Sequence, residues 1–278
     1  MPRIGVRGVQ LNVETAGSGA PLVLLHGFAG TAQTWVPHTA ALAKRCRVIA
    51  PDLLGHGDSD APDDFGRYAI EEVSADLVAL LDRLRIDRAV VVGYSMGGRI
   101  ALNVAIGFPD RVSALVLESA SPGIADAAHR RRRAAQDAAL AEHIERDGVE
   151  AFVDFWERQP IFASQARLPP GVRTALRRQR LRNGAHGLAN CLRGLGQGVQ
   201  PPLWHRMAEV TAPTLLLAGA LDADYVAIAE RMHDAIRGSQ LAIVPDAGHA
   251  VHLERPEAFG AVVDRWLRSL CPSPGSHC

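Results

Sequence analysis

Residues 93–99 read Gly-Tyr-Ser-Met-Gly-Gly-Arg, and the first five fit a G-x-S-x-G pattern centred on Ser95. A serine hydroxyl reacts only when a neighbour takes its proton, so the pattern calls for a histidine and a carboxylate further along. They are expected in the order serine, acid, histidine. Asp222 follows the apolar run "TLLLAGAL", and His249 follows "AIVPDAG". His249 would act as base toward Ser95, while Asp222 would fix its tautomer and stabilise the imidazolium. Asp224 is a rival acid but lies two residues further from the strand end. His252 is a rival base that reads as a support residue, and His56, in "DLLGHGDSD", reads as a loop brace. An oxyanion hole needs two convergent N–H groups. Phe28, in "LLHGFAG", and Met96 are the expected donors, with Met96 also gaining the field of a helix N-terminus.

Such a constellation needs strands that deliver these residues to one edge of a sheet. "PLVLLHG", "CRVIAPDL", "AVVVGYS", "SALVLES", "TLLLAGA" and "QLAIVPDAG" are continuous apolar runs, as expected of strands buried on both faces. "GVQLNVETAG" alternates and ends at Gly-Ser-Gly, which suggests an opening hairpin. Helical spacing in "AIEEVSADLVALLDRL", "GGRIALNVAIGF" and "PEAFGAVVDRWLRSL" completes a β–α alternation. The expected fold is α/β, a mostly parallel central sheet flanked by helices. From about Ser121 to Arg206 the strands stop. The expected organisation is a core of residues 1–120 and 206–271, an inserted helical cap of 121–205, and a loose tail of 272–278. The strand before Ser95 and the glycine-rich helix start after it are the context in which G-x-S-x-G has chemical meaning.

The chain has 278 residues and zero formal net charge, which gives it no electrostatic case for nucleic acid or an anionic membrane. No apolar run reaches the roughly 18 residues of a membrane span, and "MPRIGVRGVQ" lacks a signal-peptide core. Cys46, Cys191, Cys271 and Cys278 have no metal-ligand or C-x-x-C spacing, so a reduced cytoplasmic enzyme is expected, and the serine–histidine–acid chemistry itself calls for no metal and no organic cofactor. Local charge is uneven. Between Glu157 and Glu209 there are nine arginines and no acid, and "HRRRR" at 129–133 adds four more arginines. Concentrated positive charge over a pocket favours a small polycarboxylate substrate. The alternative is a solvated surface. Arg99 stands one helical turn beyond Ser95, where a cation is disfavoured by the helix dipole. Either a bound carboxylate or a buried Asp or Glu should compensate it.

The elbow, the H-G-F segment, "DLLGHGDS", the late acid and "GHAVHLERPEAF" resemble the α/β-hydrolase superfamily along nearly the whole chain. Members with a carboxylate nucleophile, the haloalkane dehalogenases and epoxide hydrolases, are set aside because the elbow carries Ser95. The cap segments "FVDFWERQPIFASQ" and "RRQRLRNGAHGLANCLRGLGQGVQPPLW" resemble the 2-succinyl-6-hydroxy-2,4-cyclohexadiene-1-carboxylate synthases (MenH) of menaquinone biosynthesis. That resemblance implies a lyase eliminating pyruvate from a cyclohexene polycarboxylate. It implies Tyr94, Arg99, Arg133, Trp156 and Arg182 as substrate contacts, with Arg180 the alternative to Arg182. The sequence departs from the family in two places. Asp224-Tyr225 stands where a Lys-Phe-like pair is usual, and Ala250 stands where an asparagine follows the catalytic histidine. The triad alone also suits a serine esterase or a C–C bond hydrolase.

Overall fold

The computed structural model describes residues 3–270. Its eight strands are β1 (Arg3–Val6), β2 (Val9–Ala16), β3 (Ala20–Leu25), β4 (Cys46–Pro51), β5 (Ala89–Tyr94), β6 (Val112–Glu118), β7 (Thr214–Gly219) and β8 (Gln240–Val244). They form one sheet in the order β1-β2-β4-β3-β5-β6-β7-β8. The β1–β2 and β2–β4 pairs are antiparallel and the rest are parallel. Strand order reverses at β3, whose neighbours are β4 and β5, so a crevice opens at the carboxyl ends of the central strands.

The strands alternate their side chains between two apolar layers, as a period of two requires. Val23, Leu25 and Val91 join one layer, with Ile100 and Leu102, while Leu22, Leu24, Val90 and Val92 join the other, with Trp35 and Phe259. The helices covering the sheet are α1 (Val36–Leu42), α2 (Ile70–Arg83) and α3 (Met96–Gly107). Three more, α4 (Ala127–Trp156), α5 (Pro170–Arg180) and α6 (Ala185–Leu195), lie in sequence between β6 and β7, and no described residue there is a strand. Their interior forms a separate cluster that includes Ala141, Ile144, Phe152, Val153, Leu188 and Leu192. Gly148 breaks α4 at φ 83°, a conformation that an L side chain rarely adopts. The chain returns to the sheet through α7 (Ala223–Ala235), α8 (Val251–Glu254) and α9 (Pro256–Ser269).

Two expectations change. The opening hairpin turns at Arg7-Gly8, between Val6 and Val9, where both residues have positive φ. This is the two-residue geometry whose twist matches the strands it joins. The Gly17–Gly19 turn leads instead to β3, which β2 does not pair with. The run "QLAIVPDAG" is also not buried on both faces. It supplies an edge strand with one neighbour, and Ile243 is 41% exposed. The expected tail, 272–278, lies outside the described residues.

Candidate active site

Four strand ends bring the chemistry together. Phe28 follows β3, Ser95 follows β5, Asp222 follows β7 and His249 follows β8. The turn at Ser95 is tight, and the serine sits at φ 51° and ψ −109°, a strained conformation for a residue with a side chain. Gly93 and Gly97 make the turn possible. A Cβ at Gly93 would lie 2.4 Å from Gly97 O, and one at Gly97 would lie 2.3 Å from Leu25 O. The Ser95 N–H donates to Glu118 O at 2.9 Å, and the Arg99 N–H donates to Ser95 O at 3.0 Å, which starts α3 immediately after the serine.

His249 Nε2 stands 3.0 Å from Ser95 Oγ, and His249 Nδ1 stands 2.7 Å from Asp222 Oδ2. The imidazole is therefore placed to take the hydroxyl proton at one nitrogen while the carboxylate holds the other. Asp222 also caps α7 by accepting from the Tyr225 N–H at 3.5 Å. Asp224 lines the cavity but makes no bond to His249. His252 is fully buried, and its N–H and Nδ1 both bond Glu118 Oε1, at 3.0 and 2.8 Å. Since Glu118 O also holds the Ser95 N–H, this one residue ties the serine turn to the histidine loop. Glu254 straps that loop from its other side by accepting from the Gly248 and Ala250 N–H groups. His56 braces the loop after β4, its Nδ1 bonding Leu54 O, and burial lowers its pKa to about 3.

A cavity of about 1260 Å³ opens over the triad. Phe28, Tyr94, Met96, Arg99, Arg133 and Trp156 all line it alongside Ser95, Asp222 and His249. Trp156 stacks edgewise on Phe28 at 5.4 Å and near Phe162 at 5.4 Å, forming an apolar wall. Tyr94 and Tyr225 flank the His249 ring at 5.4 and 4.5 Å. Desolvation holds both phenols above their ordinary range, so they remain protonated donors. Cys191 also lines the cavity, but burial pushes its thiol up to about 12, which removes it as a nucleophile.

Arg99 is 5% exposed, and its one side-chain bond is from Nη1 to Gln200 Oε1 at 2.6 Å. No carboxylate pairs with it among the described residues, and burial lowers its pKa from the ordinary guanidinium value. Gln200 Nε2 is itself buried without a partner. Arg133 is half-committed, with Nε donating to Asp137 Oδ1 at 2.7 Å and Nη1 to Gln197 Oε1 at 3.0 Å.

The remaining arginines revise the charge reading. Arg177 meets Asp154 and Glu157, Arg180 meets Glu157, Arg193 meets Glu145 and Arg206 meets Glu209. An acid-free run in sequence is not acid-free in space: α4 supplies Glu145 and Asp154, and the acids that bound the run, Glu157 and Glu209, fold back onto it. Arg182 is not part of the cavity lining. It reaches outward to Asp58 at 2.7 Å, with its side chain 46% exposed. Arg180 is the buried one, 7% exposed and stacked over the ring of the cavity-lining Phe162 at 5.3 Å, though it does not itself line the cavity. Gln197, Gln200, Tyr225, Glu118 and Glu254 were not singled out as site residues from the sequence. Tyr225 stands at a departure from the resembled family, Glu254 within "GHAVHLERPEAF" and both glutamines within "GLGQGVQPPLW", whereas Glu118 only closes an apolar run.

Among the described residues no helix is long and apolar enough to cross a membrane. No group of three or more His, Cys, Asp or Glu among them is placed to share a metal.

Residues 20–256 match the alpha/beta hydrolase fold family. A Bacillus subtilis (strain 168) protein, provisionally named a 2-succinyl-6-hydroxy-2,4-cyclohexadiene-1-carboxylate synthase, is 44% identical over 95% of this chain and 96% of its own. The synthase of that name from Serratia proteamaculans (strain 568) is 36% identical over 91% of this chain and 94% of its own. The structure of MenH from S. aureus superposes with a TM-score of 0.89 at 35% identity, covering 93% of this chain and 98% of that one. The chain belongs to the alpha/beta hydrolase fold family, in its branch of 2-succinyl-6-hydroxy-2,4-cyclohexadiene-1-carboxylate synthases.

Proposed function

We propose that this protein is a carbon–oxygen lyase. In this reading it eliminates pyruvate from 2-succinyl-5-enolpyruvyl-6-hydroxy-3-cyclohexene-1-carboxylate to give 2-succinyl-6-hydroxy-2,4-cyclohexadiene-1-carboxylate. The observation that carries this is Arg99, a buried cation without a carboxylate, lining the same cavity as a serine in contact with His249. A buried ion without a counter-ion is costly, and a substrate carboxylate would offset that cost. A guanidinium binds one through two parallel bonds.

Ser95, with its own proton passed to His249 Nε2, takes the ring proton beside the succinyl carbonyl. The C–H electron pair becomes a ring C=C bond, the existing double bond shifts by one position, and the C–O bond to the enolpyruvyl group breaks. The departing enolate gains a proton and becomes pyruvate. Charge that develops on the succinyl carbonyl oxygen is met by the Phe28 and Met96 N–H groups. Asp222 stabilises the imidazolium. Tyr94, Arg133 and Trp156 complete the substrate wall, and residues 121–205 act as the cap that holds the polyanion over the serine. We place the enzyme in the cytoplasm as a catalyst that needs neither metal nor organic cofactor.

The test is to supply the enolpyruvyl precursor, made enzymatically, and follow pyruvate and the diene chromophore together. Equimolar appearance of the two supports the lyase. Phenyl-ester turnover far above pyruvate release would assign the triad to hydrolysis instead.

A further inference from the structure

We infer that the Tyr225 hydroxyl is a substrate-binding donor, the neutral third member of a carboxylate subsite completed by Arg99 and Arg133. The inference deepens the lyase reading above and rests on it for the identity of the ligand.

Tyr225 lines the cavity with both arginines. Its phenol oxygen is already used as an acceptor, taking the Gln197 Nε2 proton at 2.9 Å. The hydroxyl proton itself finds no acceptor among the described residues. A phenol has one proton to give and accepts at its oxygen, so the bond from Gln197 leaves that proton for a ligand. Burial keeps the group protonated through the neutral range. Gln197 does double duty, since its Oε1 accepts from Arg133 Nη1 at 3.0 Å while its Nε2 holds the phenol. The amide thereby fixes the phenol and one guanidinium relative to each other. Asp137 offsets the Arg133 charge through its bond to Nε, whereas Arg99 has no acid partner. Arg99 therefore keeps a buried charge that no acid among the described residues pairs with directly, and a ligand carboxylate would meet it.

The position explains why the donor matters to the reaction. The Tyr225 ring meets the His249 ring edge-on at 4.5 Å, and its backbone N–H donates to Asp222, the cap of α7. A carboxylate held by its hydroxyl would therefore sit beside the base that activates Ser95.

The test is calorimetric binding of 2-(3-carboxypropanoyl)benzoate, a stable aromatic dicarboxylate, and of its dimethyl ester. The proteins are the wild type, Tyr225→Phe and Gln197→Leu. Tyr225→Phe keeps the ring against His249 and is expected to raise Kd for the dicarboxylate about ten-fold, or about 1.4 kcal/mol. It should move the ester's Kd by less than about two-fold, because a hydrogen bond to a charged acceptor exceeds one to a neutral acceptor. Gln197→Leu should weaken the dicarboxylate by a smaller factor, about three-fold. The inference is overturned by a Tyr225→Phe dicarboxylate Kd within two-fold of wild type. Equal weakening of both ligands would also overturn it, since that marks a packing role, as would a wild type that binds neither. Because binding is read without turnover, a wild type that takes the dicarboxylate yet releases no pyruvate sinks the lyase reading alone.

Discussion

Replacing Arg99 by methionine separates a functional charge from a structural one. The side chain is 5% exposed and holds a single bond to a neutral amide oxygen. Burying an ion costs several kcal/mol even after relaxation, and one hydrogen bond from a charged donor returns only about 1.5–3 kcal/mol. The guanidinium also lies in the first turn of α3, where the helix dipole opposes it. Methionine keeps much of the volume and removes the ion, while leaving Gln200 Oε1 short of its donor at a cost of about 1–3 kcal/mol. The two effects nearly cancel, so the unliganded variant should be between equal in stability and about 2 kcal/mol more stable. For a chain of this size that corresponds to a Tm rise of no more than about 8 °C. Pyruvate elimination should move the other way. Truncating one side of a buried charge pair costs about 2–5 kcal/mol, so kcat/KM should fall about 30- to 5,000-fold. Differential scanning calorimetry without ligand, paired with steady-state pyruvate release, reads both quantities. A Tm drop of more than about 5 °C, or a kcat/KM within three-fold of wild type, would refute the reasoning.

Two further outcomes follow from the same geometry. Arg182→Ala removes an exposed pair with Asp58 and should cost under about 1 kcal/mol in urea unfolding, with less than a two-fold change in kcat/KM. A loss above ten-fold would bring that arginine back to the substrate. His56 stays neutral in the fold down to about pH 3, while in the unfolded chain it takes up a proton near pH 6.5. Its contribution to stability is therefore complete above about 6.5 and is lost as pH falls toward 3, at up to about 1.4 kcal/mol per pH unit. His56→Gln should flatten the pH dependence of the unfolding free energy between 6.5 and 5 by up to that slope, and an unchanged slope would count against it.

The order of Ser95, Asp222 and His249 was readable because each ends or follows an apolar run, and a parallel sheet gathers such ends on one edge. Local chemistry sufficed there: glycines at 93 and 97 are demanded by backbone approaches of 2.4 and 2.3 Å. The stretch between β6 and β7 was less legible. Arg180 and Arg182 are two residues apart, and on a helical path that spacing puts them on opposite sides. Which side faces inward is decided by packing against Phe162 and Glu157, and no periodicity encodes that choice. The acids that pair with Arg177, Arg180, Arg182 and Arg193 lie earlier in the chain, at Glu145 and Asp154 on α4, at Glu157 just beyond it and at Asp58, so a linear count of charge overstated the field. Gln197 and Gln200 carry no charge, and the segment they stand in does not say what they touch, yet they hold Arg133, Tyr225 and Arg99. Their roles exist only in three dimensions. The edge position of β8 was hidden for a similar reason, since apolar composition does not say how many neighbours a strand will have.

In the proposed reaction Ser95, activated by His249, is the base that starts pyruvate elimination. The most direct measurement is pyruvate release by Ser95→Ala at saturating precursor, with circular dichroism and Tm used to verify the fold. A positioned general base contributes about 10²- to 10⁴-fold, so kcat should fall by at least about 10²-fold while the fold persists. Full pyruvate release by a folded Ser95→Ala enzyme would contradict the account.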